Sequence, residues 1–342
     1  MKNIFGFILG LIFCLIFVEA YVSNSFVMDR FINDYDPEVG RIRKANTQYV
    51  KFAEGFGIGK VNSLNYLNKE YPINKSENTI RIALMGDSFV ESFQVFDRHY
   101  FGRIMENILS DKFNQPVEVL NFGRSGFDIG DCYVYYNTFV KKYNPDYVFY
   151  ILGSEDFSTR NSEPLLPIVK INENTIKIEK PYLNSKYLKR YKKIDPFLSK
   201  SVLVNGLNKG RKLLTKEYAL PQLFDKFYIK KSVDIAGKDS NKIPKVSLTP
   251  EITLLINEMR ENKGYFFLRS DLEVANTNHT FHNIAKIFKN KDYNPHEWKI
   301  AKTTGHWNNR AHRDIGEYMA EEMEKIIRNE QGLATNNTNN HE

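Results

Sequence analysis

Cysteine is nearly absent: there are two in 342 residues, Cys14 in an apolar N-terminal run and Cys132 in the body of the chain. That pair implies no disulfide framework. The seven histidines form no H-x-x-x-H pair and join no cysteine pair, so the spacing names no metal site, and no organic cofactor is called for. No nucleic-acid motif or aromatic stacking platform accompanies the basic residues, although the net charge is +7. The charge suits an anionic partner such as a membrane surface or an acidic glycan. Hydrophobic content of 42% with 26% charged residues describes a globular chain long enough for one large domain or two small ones.

The N-terminus "MKNIFGFILGLIFCLIFVEAYV" has one lysine and then an uncharged run from Ile4 to Val18. Residues 1–22 fit a signal peptide, with a passable cleavage site at Val18-Glu19-Ala20, or a marginal membrane span interrupted by Glu19. An uncleaved anchor is the favoured reading. The Lys2 end would then stay cytoplasmic, and the rest of the chain would be extracytoplasmic. Phe13 before Cys14 argues against a lipidation site. Residues 23–78 read as a loop-rich lead-in, and the G-x-G spacing in "EGFGIGK" is too weak for a phosphate loop.

From Thr79 the pattern changes. "TIRIALM", "VEVLNFG" (117–123), "DYVFYILG" (146–153) and "GYFFL" (264–268) are strand-like, and the third is apolar enough for a strand buried on both faces. Helical faces lie between and after them: Phe101, Ile104, Met105 and Ile108, a segment from Tyr133 to Lys142, and a closing helix with Ile315, Tyr318, Met319, Met323 and Ile326 on one side. The alternation predicts a three-layer α/β/α domain over 79–330 with a mostly parallel sheet. An insertion at about 160–250 interrupts it. It opens with a β-hairpin around Asn172-Glu173-Asn174 and continues with a run, 186–216, holding ten Lys or Arg against one acid, Asp195. That run reads as a solvated helical face, or as a rim for anionic glycan or lipid headgroups. The tail 331–342 reads as disordered.

Four stretches fall at one predicted sheet edge. Gly86-Asp87-Ser88 ends the first strand and opens a helix; "NFGRSGF" follows the second; "ILGSEDF" follows the third; and "TGHWNNRAH" precedes the last helix. Ligands of open α/β sheets bind at the carboxyl ends of strands. A serine there can expose its hydroxyl, or serve only as a helix N-cap. Gly126 or Gly123 can bring an N–H close to a reacting carbonyl, or simply serve a turn. A loop histidine can act as base. Asp87 is expected to brace the serine turn, Asp156 to hold its own loop, and Trp307 to pack in the core.

This set resembles the SGNH (GDSL-type) hydrolases, over roughly Thr79 to Ile327, in the fold sometimes grouped as flavodoxin-like. The matching residues are Gly86-Asp87-Ser88, Gly126, Gly153-Ser154-Glu155-Asp156 and His306. "HWN" before a terminal helix is common in extracytoplasmic, membrane-anchored members that occur with polysaccharide biosynthesis. The resemblance implies ester chemistry on a carbohydrate O-acyl group, as hydrolysis or acyl transfer. Ser88 would be the nucleophile, His306 its base, and the N–H groups of Ser88 and Gly126 the oxyanion hole.

Two positions depart from the family. Glu155 stands where the family has an Asn that donates to the oxyanion, and an ionised carboxylate donates nothing. Thr303 and Thr304 stand where the family has an Asp that orients the histidine. A threonine hydroxyl or a backbone carbonyl could still orient the ring, giving a Ser-His dyad, and Asp292 or Glu297 could fold back from upstream, although nothing in the spacing requires it. The same two departures support a rival expectation, a weak or inactive SGNH-fold protein that binds or scaffolds glycan.

Overall fold

The computed structural model describes residues 2–24, 32–51, 54–159, 165–172, 175–180, 183, 185–186, 188–189, 192–194, 200–207, 243–298 and 303–330. Five strands form one sheet: β1 (Ile80–Gly86), β2 (Val117–Asn121), β3 (Tyr147–Leu152), β4 (Gly264–Leu268) and β5 (Phe281–Asn283). Their order is β2-β1-β3-β4-β5 and every neighbouring pair is parallel. The order reverses between β1 and β3, which is where a doubly wound sheet opens a crevice at its carboxyl edge.

Alternation along the strands divides the core into two layers. Ile82, Leu84, Phe149 and Ile151 face helices α3 (Phe101–Phe113) and α6 (Asn309–Glu330), meeting Phe101, Met105, Ile315 and Met319. Ala83, Met85, Val148 and Tyr150 face α4 (Ile129–Tyr135) and α5 (Pro250–Glu261), meeting Cys132, Tyr135, Leu255 and Ile256. These residues are nearly all inaccessible to solvent, so the sheet is covered on both faces, which is the usual condition for an all-parallel sheet. The three-layer α/β/α class is therefore the fold. α4 runs on as a π-turn over Tyr136–Val140 and a 3₁₀ turn over Lys141–Tyr143, covering the segment expected to be helical.

The lead-in is more ordered than a loop-rich segment. Residues 33–36 pair antiparallel with 40–43, and 48–51 with 57–60. Four-residue strands with little alternation leave a weak periodic signal, which is why the sequence did not mark them. Arg81, fully buried on β1, ties the segment to the domain. Its guanidinium donates to the carbonyls of Pro72 (2.9 Å), Ile73 (2.8 Å) and Tyr143 (2.7 Å) and pairs with Glu118 at 2.6 Å.

The hairpin of the insertion forms, with Ile168–Asn172 antiparallel to Thr175–Glu179; residues 173–174 at its turn lie outside the described residues. So do much of the basic run, Asp195 included, and the tail. Helix α1 (Lys2–Asn24) is long and apolar enough to cross a membrane, and it is unbroken through positions 18–20. Glu19 accepts from Ser201 Oγ (2.7 Å) and from the amides of Val202 (2.8 Å) and Leu203 (3.0 Å), capping a short helical segment of the insertion.

Candidate active site

The carboxyl edge of the sheet collects the chemistry. β1 ends at Gly86, and α2 (Ser88–Glu91) starts at once. The cap of this short helix is Asp87, whose carboxylate accepts the Phe89 N–H at 2.9 Å. Asp87 thus braces the turn as expected, and Ser88 is not the cap. Its hydroxyl is released for another partner.

That partner is His306. Its Nε2 lies 2.6 Å from Ser88 Oγ, although the two residues are 218 positions apart. The other ring nitrogen, Nδ1, lies 2.7 Å from Glu54 Oε2, which also accepts the His306 backbone N–H at 2.8 Å. An ionised carboxylate only accepts, so the Nδ1–Glu54 contact requires the proton on Nδ1. Nε2 then carries a lone pair and accepts from the Ser88 hydroxyl. Burial alone would raise the Glu54 carboxyl, but the hydrogen bonds from the His306 ring and amide outweigh it and hold Glu54 below its ordinary value. It stays charged, as an orienting acid should.

The acid behind the histidine is therefore Glu54, not a residue just upstream of His306. The backbone of Thr303–Thr304 pairs with Glu297–Trp298 instead. Asp292 accepts from Arg310 at 3.1 Å, and Glu297 is exposed. Sequence reasoning missed Glu54 because it sits in the connection between the paired segments 48–51 and 57–60, far from any motif. A signal was present in the glycines. A Cβ at Gly305 would lie 2.5 Å from the Glu54 carboxyl carbon, so the residue before His306 must be glycine for that carboxylate to reach the ring. A Cβ at Gly55 would lie 2.2 Å from the Trp298 ring. Gly305 thus marks the place where "TGHWNN" meets Glu54, and Gly55 marks where the Glu54 segment meets Trp298.

Aromatic rings seat the pair. The Phe89 ring lies 4.7 Å from that of His306 and 5.0 Å from that of Trp307. Trp307 has no accessible surface, so it packs in the core as expected. His296, 6.0 Å from the Phe89 ring, holds the Gly305 carbonyl with Nδ1 at 2.8 Å, and burial depresses its basicity.

The amides of Ser88 and Gly126 make no hydrogen bond to another described residue. Gly126 adopts φ +84°, a conformation that favours glycine, and has open space where a side chain would project. The Arg124 amide just before it donates to the Gly86 carbonyl at 2.9 Å, so the loop after β2 is tied to the end of β1.

Glu155 does not serve as a donor. Burial would raise its carboxyl, but a local backbone hydrogen bond and the guanidinium of Arg269 hold it below the ordinary value, ionised and bonded to Arg269. Arg269, the first residue after β4, was not singled out in the sequence. Its guanidinium lies 4.4 Å from the Phe89 ring centroid and reaches Asp87 at 3.3 Å and Asp156 at 3.6 Å. Asp156 accepts the Gly153 N–H at 2.7 Å, the loop-holding part expected of it. Burial, with the nearby Asp87 charge, pushes the Asp156 carboxyl up to about 7, against the pull of Arg269. Burial raises Asp87 as well.

A charged carboxylate, a ring held in one tautomer and a serine hydroxyl at hydrogen-bond distance make up an arrangement that renders a hydroxyl nucleophilic. It needs no metal or organic cofactor.

No family model matches the chain, and no curated protein matches it. Solved structures do. A protein from Desulfitobacterium hafniense, assigned to the G-D-S-L lipolytic family, is 11% identical over 70% of this chain and 98% of its own, at a TM-score of 0.29. A family 3 carbohydrate esterase from Clostridium thermocellum is 15% identical over 73% and 98%, at 0.30. A carbohydrate acetylesterase from Sinorhizobium meliloti is 10% identical over 72% and 99%, at 0.28. Likenesses this distant carry no inference about the present chain; the distances within its own site do.

Proposed function

We propose that this protein is a serine esterase or acyltransferase of the SGNH type, acting on O-acyl groups of exported or cell-surface polysaccharide. The observation that carries the reading is the continuous line of contacts from Ser88 Oγ through the His306 ring to Glu54, 2.6 Å and 2.7 Å in length. In the first step Ser88 Oγ attacks the ester carbonyl carbon as its proton moves to His306 Nε2. The amides of Ser88 and Gly126 receive the charge that develops on the carbonyl oxygen. Collapse of the tetrahedral intermediate breaks the ester C–O bond. The leaving sugar oxygen takes the proton from Nε2, and an acyl-serine remains. Water or a second sugar hydroxyl then attacks, returning its proton through His306, and Ser88 is regenerated.

The rival reading, a glycan-binding scaffold, loses one of its two supports: the missing acid before His306 is supplied from Glu54. Its other support stands, since an ionised Glu155 contributes no oxyanion donor, and turnover is expected to be modest. We place the domain outside the cytoplasm, held by α1 as a retained single-pass anchor. The engagement of Glu19 by residues 201–203 favours retention over cleavage and secretion. The partners are then an acylated glycan and the membrane, with no role for nucleic acid. Release of acetate from an O-acetylated polysaccharide, compared between the wild type and Ser88→Ala, tests the reading. Release that depends on Ser88 supports it; binding of the polysaccharide without any release favours the scaffold.

A further inference from the structure

We infer that Glu91 is a positioning residue that sets the Gly126 amide against Ser88, an inference resting on the esterase reading above. Glu91 is the last residue of the short helix that Ser88 begins, one turn further on, and only 1% of it is accessible. One carboxylate oxygen accepts both the N–H of Ser125, at 3.0 Å, and its hydroxyl. The other forms an ion pair with the guanidinium of Arg43, which comes from the lead-in. Ser125 directly precedes Gly126. One side chain on the nucleophile's helix therefore grips the residue next to the second amide.

The backbone repeats the connection. Arg124 N–H donates to the Gly86 carbonyl at 2.9 Å. A Cβ at Gly123 would lie 2.2 Å from the Glu91 amide nitrogen, so the loop runs directly against α2. A buried carboxylate is a costly way to fill this space. An apolar side chain would serve stability as well or better, because a buried ion pair recovers its desolvation only with good geometry. What an apolar residue would not do is accept two hydrogen bonds from Ser125. Two amides converge on one oxygen only if their spacing is held to a fraction of an ångström, and Glu91 is the group that spans the two segments bearing them.

The test uses p-nitrophenyl acetate as substrate and a fluorophosphonate to titrate reactive Ser88, so that turnover is expressed per competent site. Glu91→Gln is expected to lower kcat per titrated site by about 10- to 100-fold, part of the roughly 100- to 1000-fold that removal of an oxyanion donor costs. KM should stay within about threefold, since the contact is made in the transition state. Ser125→Ala removes one of the two donors from an exposed residue and spares the fold. It should lower kcat per site by about 3- to 10-fold. The acid limb of the pH–rate profile should not move in either variant. A structural role alone would reduce the number of titratable sites and leave kcat per site at the wild-type value. That result in both variants overturns the inference while the esterase reading stands. A wild-type protein with no Ser88-dependent labelling or turnover overturns the esterase reading, and the inference falls with it.

Discussion

One oxygen of Glu54 holds His306 twice, through the ring Nδ1 at 2.7 Å and through the backbone N–H at 2.8 Å. The same carboxylate therefore fixes where the loop sits and which nitrogen carries the proton. Glu54→Gln keeps the size of the side chain and removes the charge, and its amide can turn a donor toward Nδ1 and favour the wrong tautomer. Such a change costs about 10⁴-fold in a well-studied triad. The expected loss in kcat/KM for p-nitrophenyl acetate is therefore about 10³- to 10⁴-fold, with Glu54→Asp intermediate. Equal activity in Glu54→Gln and the wild type would remove Glu54 from the mechanism.

The pH dependence of this contact has a definite sign. The Glu54 carboxyl is held below its ordinary value of 4.5 in the folded protein. Its contribution to stability is thus complete above that value and is lost as pH falls through the lower folded-state value. Thermal melts of the wild type and Glu54→Gln should differ by a constant amount from neutral pH down to about 5 and converge only in stronger acid. Convergence already at pH 6 would contradict the assignment.

Asp156 has the opposite sign. Burial and the Asp87 charge raise its carboxyl to about 7 from an ordinary 3.8, so the folded state prefers the protonated acid. Stability from this group is full below about 4 and is lost as pH rises through about 7. Asp156→Asn, which stays neutral, should gain on the wild type steadily over that window and hold a constant advantage above it. Chemical denaturation at pH 5 and pH 8 measures the difference.

Arg269 is the only cation among the described residues that an ion pair joins to Asp87, Glu155 or Asp156, and its side chain is 10% accessible. Arg269→Met keeps much of the packing on Phe89 and leaves two buried carboxylates without their cation. Removal of one partner from a buried ion pair costs about 3–5 kcal/mol. Urea unfolding at neutral pH should show a loss of that order, shrinking at pH 5 as Asp156 takes up a proton.

What was legible in the sequence divides by range. The strands "TIRIALM", "VEVLNFG", "DYVFYILG" and "GYFFL" are apolar runs bounded by turn residues, and all four form within a residue or two of their expected ends. A strand buried on both faces leaves a signal in its own composition. Ser88 and His306 were legible because each sits at an element boundary, after a strand or before a helix. β5 was not, since three half-buried residues carry no period. Glu54 and Arg269 were not, because neither has a local marker: one lies on a short connection, the other at a strand end with no motif. Their roles arise from contacts across 252 and 114 positions, with His306 and Glu155. Gly305, against the Glu54 carboxylate, registers the His306 contact in the sequence, and a close approach reads there as an ordinary loop.

A nucleophilic Ser88 activated by His306 is the centre of the proposed chemistry. Treatment of the full-length protein with a fluorophosphonate, followed by mass spectrometry of the peptide containing residues 82–98, tests this directly. The predicted result is one adduct per chain on Ser88, abolished in Ser88→Ala and slowed by about 10³-fold or more in His306→Ala. Absence of an adduct on a folded wild-type protein, or labelling that survives Ser88→Ala at the same rate, would contradict it.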